Sequence, residues 1–193
     1  MSQSDAGEAK IFSRFINKDR GRFSSIINKR PIVSRLFFPS RRAFGFYDNM
    51  CKLIPAVRTA RIQVFIVPHH RWREGGYKGW KHMNPSQIRS NESQSFATGT
   101  WGGEFHPEFG PREGDVIVLE HWAQSGFANT DLDAQLKQRG IQKIILVVMI
   151  ANTCIEATDR LGMELGYHVS LIKDATAALN HEGMHAIVFL STV

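Results

Sequence analysis

The segment "KIILVVMIANTCIEATDRLGMELGYHVSLIKDA" constrains the fold more than any other part of the chain. After Lys143 it is continuously apolar through Ile150, the pattern of a parallel strand covered on both faces. A polar corner follows, Asn152-Thr153-Cys154. Ala157, Leu161 and Leu165 then recur every fourth residue and predict a helix, which Gly166 closes. "YHVSLIKDA" predicts a further strand. Strand, helix and strand in this order form a βαβ unit, and a βαβ unit implies a parallel sheet with helices lying on it.

The same alternation extends upstream. "IQVFIVP" reads as a buried strand ending at Pro68, and "GDVIVLE" as another introduced by a Gly-Asp turn. "NTDLDAQLKQRG" predicts a helix capped by Asn129 or Thr130 and stopped by Gly140. In "DNMCKLIPAVRTAR", Met50, Ile54 and Val57 share one helical stripe, which Pro55 is expected to interrupt. The long Gly-, Trp- and Asn-rich stretch from His69 to Glu113 exceeds what a connector needs, and is read as functional. The chain shows no internal repeat, and 193 residues suffice for one domain with a real core. The predicted architecture is α/β, with three layers (α/β/α) around a mainly parallel, Rossmann-like sheet.

Charge divides the chain unevenly. Residues 1–46 carry ten Lys/Arg against three Asp/Glu, while the rest of the chain is nearly neutral. The basicity is therefore a property of the N-terminal segment, which argues against a nucleic-acid-binding face on the fold itself. Residues 10–44 lack a sustained period of 3.6 or 2, and residues 1–46 are read as a basic, poorly ordered extension preceding a domain at 47–193. No apolar run reaches the roughly 18 residues that a bilayer span requires. With Cys51 and Cys154 as the two cysteines there is no disulfide framework. A cytoplasmic location is expected, with organelle targeting by the Arg- and Ser-rich segment as the alternative.

Cys154 lies just beyond the end of a strand, at the start of a helix. Ligands of open α/β sheets bind beyond the carboxyl ends of the strands. A helix N-terminus favours the thiolate and supplies N–H groups that can hold an oxyanion. Read from the residue alone, the thiol is either a core filler or a nucleophile.

Three stretches weigh on that choice. "LVVMIANTCIEATDRLGMELGYHVSLIKDATAA" resembles the cysteine-bearing segment of the isochorismatase-like hydrolases, and "GDVIVLEHWAQSGFANTDLDAQLKQRGI" resembles the unit that precedes it in that family. "LIPAVRTARIQVFIVPHH" is similar to an earlier helix and strand. The resemblance covers about residues 50–185. It implies hydrolysis of a C–N or C–O bond of a small molecule, with Cys154 as nucleophile and the backbone amides of Ile150 and Cys154 as oxyanion donors. Members of the family pair the cysteine with an aspartate on a first strand of the type "ALLVID-Q" and with a lysine. No such strand precedes residue 50, so the first strand is expected to be missing or replaced, with residues 31–38 as the local substitute. The lysine slot falls at Glu120 or His121. The final "AIVFLSTV" departs from the family's longer last region, and the domain is expected to be truncated there.

His121 could pair with Cys154 as a base, and Glu120 could act as acid or base if its environment raised its pKa. Each has a plain alternative as a pocket-lining or solvated side chain. Trp101, Trp122 and Phe127 are candidate substrate-binding walls, since small-molecule sites are mostly apolar, although at least one of them is expected to be ordinary core. His69, His70 and His82 lack metal-ligand spacing, so neither metal nor other cofactor is expected. The partners expected are a small-molecule substrate and a second copy of the chain, not nucleic acid or membrane. The leading function is a cysteine hydrolase of this family. The alternative is a catalytically impaired member that serves as a small-molecule-binding or protein-interaction scaffold.

Overall fold

The computed structural model describes residues 8–13, 45–178 and 182–184. The elements, in chain order, are β1 (Glu8–Ser13), α1 (Phe46–Thr59), β2 (Gln63–Val67), α2 (Pro85–Glu92), a 3-10 turn (Trp101–Gly103), β3 (Val116–Ile117), α3 (Leu132–Gln138), β4 (Lys143–Met149), a π-helical turn (Ala151–Ile155), α4 (Glu156–Glu164) and β5 (His168–Ala177). Among the described residues five strands form one sheet in the order β3-β2-β1-β4-β5, with each of these pairings parallel.

β1 occupies the centre. Ala9 to Ser13 pair with Gln63 to Val67 on one side, and Glu8 to Phe12 with Lys143 to Val147 on the other. The first strand of the sheet is thus supplied from within the stretch read as an extension, at residues 8–13. The substitute strand expected at 31–38, and the rest of residues 14–44, lie outside the described residues.

Alternation along β2 builds the three layers. Phe65 and Val67 join Leu132 and Leu136 of α3 and Ile155 of the π turn on one face of the sheet. Val64 and Ile66 join Phe46, Met50, Ile54 and Val57 of α1 on the other. Successive residues on a strand point to opposite faces, and burying both faces demands helices on both. α1 runs unbroken through Pro55, contrary to the expected interruption. Its buried stripe anchors the helix on both sides of the proline, which is itself exposed. α3 begins at the cap residue Asp131, not Asn129 or Thr130. Asn129 instead takes a left-handed turn at φ 58°, and Thr130 Oγ1 accepts from the Leu132 amide. The strand expected over "GDVIVLE" is reduced to Val116–Ile117 at the sheet edge. No described helix is long and apolar enough to cross a membrane.

Candidate active site at the carboxyl edge of the sheet

Because all strands run in parallel, their carboxyl ends share one edge, and the segments that leave β2, β3 and β4 meet solvent there together. β1 sits where the strand order reverses, with β2 and β3 on one side and β4 and β5 on the other. A crevice opens at such a switch point because consecutive connections leave on opposite faces.

On the β4 side, the chain turns through Ala151–Ile155 into α4. The Ile150 carbonyl closes this turn, accepting from the amides of Thr153 and Ile155, both at 3.3 Å, and from the Thr153 hydroxyl at 3.2 Å. Cys154 is only 3% exposed, and its Sγ lies 3.7 Å from Thr153 Oγ1. Burial pushes the thiol up from its ordinary value. Hydrogen bonding with the backbone of Ile150, the Thr153 side chain and the backbones of Cys154 and Ile155 opposes this without overcoming it. The thiolate expected from a helix N-terminus is therefore not the resting form, because desolvation penalises the anion more than the turn stabilises it.

On the β2–β3 side, His69 and His121 form an isolated parallel bridge that extends the pairing of the two strands. The His121 amide donates to the Pro68 carbonyl at 2.9 Å, and the His121 carbonyl accepts from His70 N at 2.7 Å. The His121 ring is 1% exposed and stands edge-on to His69, with centroids 5.0 Å apart. Burial, aided by the neighbouring His69, pushes its pKa down to about 3, so the ring is neutral at physiological pH. His121 Nδ1 has no hydrogen-bond partner among the described residues.

Glu120 is occupied differently. It accepts from the Arg71 amide at 3.1 Å, from Arg71 Nε, and from Arg73 Nη2 at 3.2 Å, and it lies 3.5 Å from His70 Nδ1. Burial alone would raise its pKa. The Arg71 hydrogen bonds and the charges of Arg71 and Arg73 outweigh that and hold the carboxyl below its ordinary range. An acid or base needs a raised value, so this carboxylate is shaped as an anchor of the β2–α2 connection.

The loop that carries His121 is tied to the helix that carries Cys154. Gly126 N donates to Thr158 Oγ1 at 2.8 Å, and Thr158 Oγ1 donates to the Cys154 carbonyl at 2.6 Å. Gly126 also packs on Val67, whose Cγ1 would stand 2.9 Å from an added Cβ. This clamp went unread in the sequence, although Thr158 lies one helical turn beyond Cys154 and faces the same way. Trp122 stacks on His70, with centroids 3.9 Å apart and planes 24° apart. Phe127 is core: it stacks on Tyr167 in the buried cluster against α3. Trp101 lies 37% exposed in the 3-10 turn. Among the described residues no group of three His, Cys, Asp or Glu is arranged to hold a metal ion.

The chain is 30% identical over 145 residues to a ureidoacrylate amidohydrolase of Rhizobium rhizogenes, covering 69% of this chain and 58% of that protein. It is 39% identical over 140 residues to the ureidoacrylate amidohydrolase of Klebsiella pneumoniae, covering 67% and 58%. The chain thus spans about six tenths of the length of these relatives. Among solved structures it resembles an isochorismatase-like hydrolase from Alkaliphilus metalliredigens, with a TM-score of 0.66 at 25% identity over 95% of this chain and 82% of that one. The N-carbamoylsarcosine amidase of Thermoplasma acidophilum shares the fold, with a TM-score of 0.66 at 21% identity over 96% and 92%. The isochorismatase domain model matches residues 39–192, and with it the chain belongs to the isochorismatase-like hydrolase family.

Proposed function

We propose that the chain hydrolyses the C–N bond of a small amide or ureide with Cys154 as nucleophile. The observation that carries this reading is the turn after β4. A buried thiol is held there by the backbone of Ile150, Cys154 and Ile155 at the carboxyl edge of a parallel sheet. The likeness to ureidoacrylate amidohydrolases supports the choice of C–N over C–O.

In this mechanism Sγ attacks the carbonyl carbon, and the carbonyl oxygen becomes an oxyanion facing the amides of Ile150 and Cys154. The C–N bond then breaks, the thiol proton leaves with the amine, and a thioester remains. Water adds to the thioester and releases the acid and the free thiol. His121 is neutral and can accept the thiol proton. A base with a pKa near 3 and a thiol pushed up do not exchange that proton at rest, so transfer accompanies attack. Trp122 packs on His70, and Glu120 holds the loop through Arg71 and Arg73.

The same electrostatics favour a second reading, a scaffold that binds a small molecule without turning it over. An unactivated thiol and an imidazole that resists protonation lower the rate together, because residues acting as a unit fail together. A screen of small amides and ureides, with wild type and Cys154→Ala in parallel, separates the two. Turnover lost in Cys154→Ala supports the hydrolase. Thermal stabilisation by a compound that neither protein consumes supports the scaffold. Turnover retained by Cys154→Ala would sink the nucleophile assignment.

A further inference from the structure

The Ile150 carbonyl, which closes the turn after β4, is offered more donors than it can hold. The amides of Thr153 and Ile155 reach it at 3.3 Å, the Thr153 hydroxyl at 3.2 Å, and Cys154 Sγ lies 3.9 Å away. A carbonyl oxygen has two lone pairs. The two amides are fixed on it by the backbone of the turn, so the carbonyl stays paired whether or not the hydroxyl remains. The Thr153 hydroxyl is therefore the donor that this turn releases most readily.

A second acceptor lies within its reach. Thr153 Oγ1 stands 3.7 Å from Cys154 Sγ, a hydrogen-bonding distance for sulfur. A hydroxyl hydrogen rotates about the Cβ–Oγ1 bond, so it can pass from the carbonyl to the sulfur without moving a heavy atom. A thiol is a weak acceptor, and against it the carbonyl keeps the hydroxyl. A thiolate reverses the order, because a hydrogen bond to an anion is about twice as strong as one to a neutral oxygen. The charge on the sulfur thus decides where the hydroxyl points. Of the groups that oppose burial at this thiol, Ile150, Cys154 and Ile155 act through their backbones, whereas Thr153 acts through its side chain. Thr153 is also only half-buried, while Cys154 is enclosed, so the hydroxyl sits on the outer side of the turn.

We infer that Thr153 is a further catalytic residue, whose hydroxyl turns from the Ile150 carbonyl to Cys154 Sγ whenever negative charge develops on the sulfur. No proton leaves Thr153. In the first step the thiol proton passes to His121 as Sγ bonds to the carbonyl carbon, and the hydroxyl holds the charge that Sγ carries until that bond is complete. In the last step water adds to the thioester and its proton goes to His121. The C–S bond then breaks with its electron pair on sulfur. The hydroxyl stabilises the departing thiolate until His121 returns the proton to it. This deepens the hydrolase reading and rests on it for the reacting carbonyl.

The test uses the full chain carrying Cys51→Ser, with carbon-13 at the cysteine Cβ. The NMR shift of that carbon, followed against pH, reads the thiol–thiolate equilibrium of Cys154 without any reagent having to reach the buried sulfur. Thr153→Val keeps the branched shape and removes the hydroxyl. It is expected to move the midpoint up by about one pH unit, a tenfold loss of thiolate at a given pH. Thr153→Ser is expected to restore the wild-type midpoint. Thr153→Ala carries the same expectation as the valine variant and serves if that variant does not fold. An unchanged midpoint in the variants that lack the hydroxyl overturns the inference. A serine variant shifted as far as the valine variant does so too, because the shape of the side chain would then be what acts on the sulfur. Failure of the hydrolase reading is distinguished by a separate assay, since it appears as turnover retained by Cys154→Ala.

Discussion

His121 makes acid stability a direct readout of the site's electrostatics. Its ring is held neutral, with a pKa pushed from 6.5 down to about 3, chiefly by burial. As the pH falls below 6.5 the unfolded chain takes up a proton at this residue that the folded chain refuses, so the equilibrium moves toward unfolding. The penalty is absent above that range, grows as pH falls, and levels off near the folded value of about 3. Linkage puts His121's share between about pH 7.5 and pH 5 at about 2 kcal/mol. His69 and His70 are shifted in the same direction, so the wild-type loss exceeds this share. Replacing His121 with Gln leaves the backbone bonds to Pro68 and His70 in place and removes the titration. Urea unfolding of both proteins at the two pH values isolates the effect, since the cost of the substitution itself is common to both. The variant should lose about 2 kcal/mol less than wild type on acidification. Equal losses in the two proteins would refute the claim that a buried, neutral His121 separates the folded and unfolded protonation states.

Gly126→Ala places a methyl 2.9 Å from Val67 Cγ1 and 3.4 Å from Thr158 Oγ1, both in the clamp between the two sides of the site. It should cost about 1–3 kcal/mol in denaturant unfolding, because Val67 is a stiff β-branched residue in the core; an unchanged midpoint would show that the clamp yields freely. Glu120→Gln removes the charge, and one of the two acceptor oxygens, that Arg71, Arg73 and His70 share. The resulting destabilisation should be about 1–3 kcal/mol at neutral pH. It should shrink as the pH falls through Glu120's folded value, below its ordinary 4.5, and a loss independent of pH would contradict the ion-pair assignment. Cys154 should react with iodoacetamide no faster than Cys51 at neutral pH in the resting protein, since burial favours its thiol; peptide mass spectrometry reads both sites, and preferential labelling of Cys154 would mean an activated thiolate.

The sequence was most informative where periodicity and burial coincide. The runs at 143–149 and 63–67 are apolar enough for strands covered on both faces, and both became central strands. β1 escaped notice because "EAKIFS" alternates charge with apolar residues and sits in a basic stretch. Its place follows from pairing with β2 and β4, which no local pattern encodes. Pro55 misled for the opposite reason: a local rule was overridden by the tertiary burial of the stripe around it. At the site, the position of Cys154 after β4 was legible, but its protonation was not. The N-terminal dipole is a local property, whereas the desolvation that dominates depends on distant segments closing over the thiol. Glu120 and His121 drew attention together, yet only tertiary contacts distinguish them, one saturated by two arginines and the other without a partner for Nδ1 among the described residues.

The central position of β1 has a consequence for how the chain reaches its native state. Glu8 pairs with Lys143 and Ala9 with Gln63, so the middle of the sheet is stitched by contacts that span most of the chain. During synthesis the strand that occupies the centre emerges first, and one of its two partners emerges only after more than a hundred residues have followed. Until then the edge of β1 that faces away from β2 has no neighbour, and such an edge invites pairing with other chains. Folding should therefore be slow and gated by the arrival of β4, the ordering that high contact order imposes. A nascent chain stalled before residue 143 would expose the flank that β4 later covers, making this the interval in which a chaperone matters most.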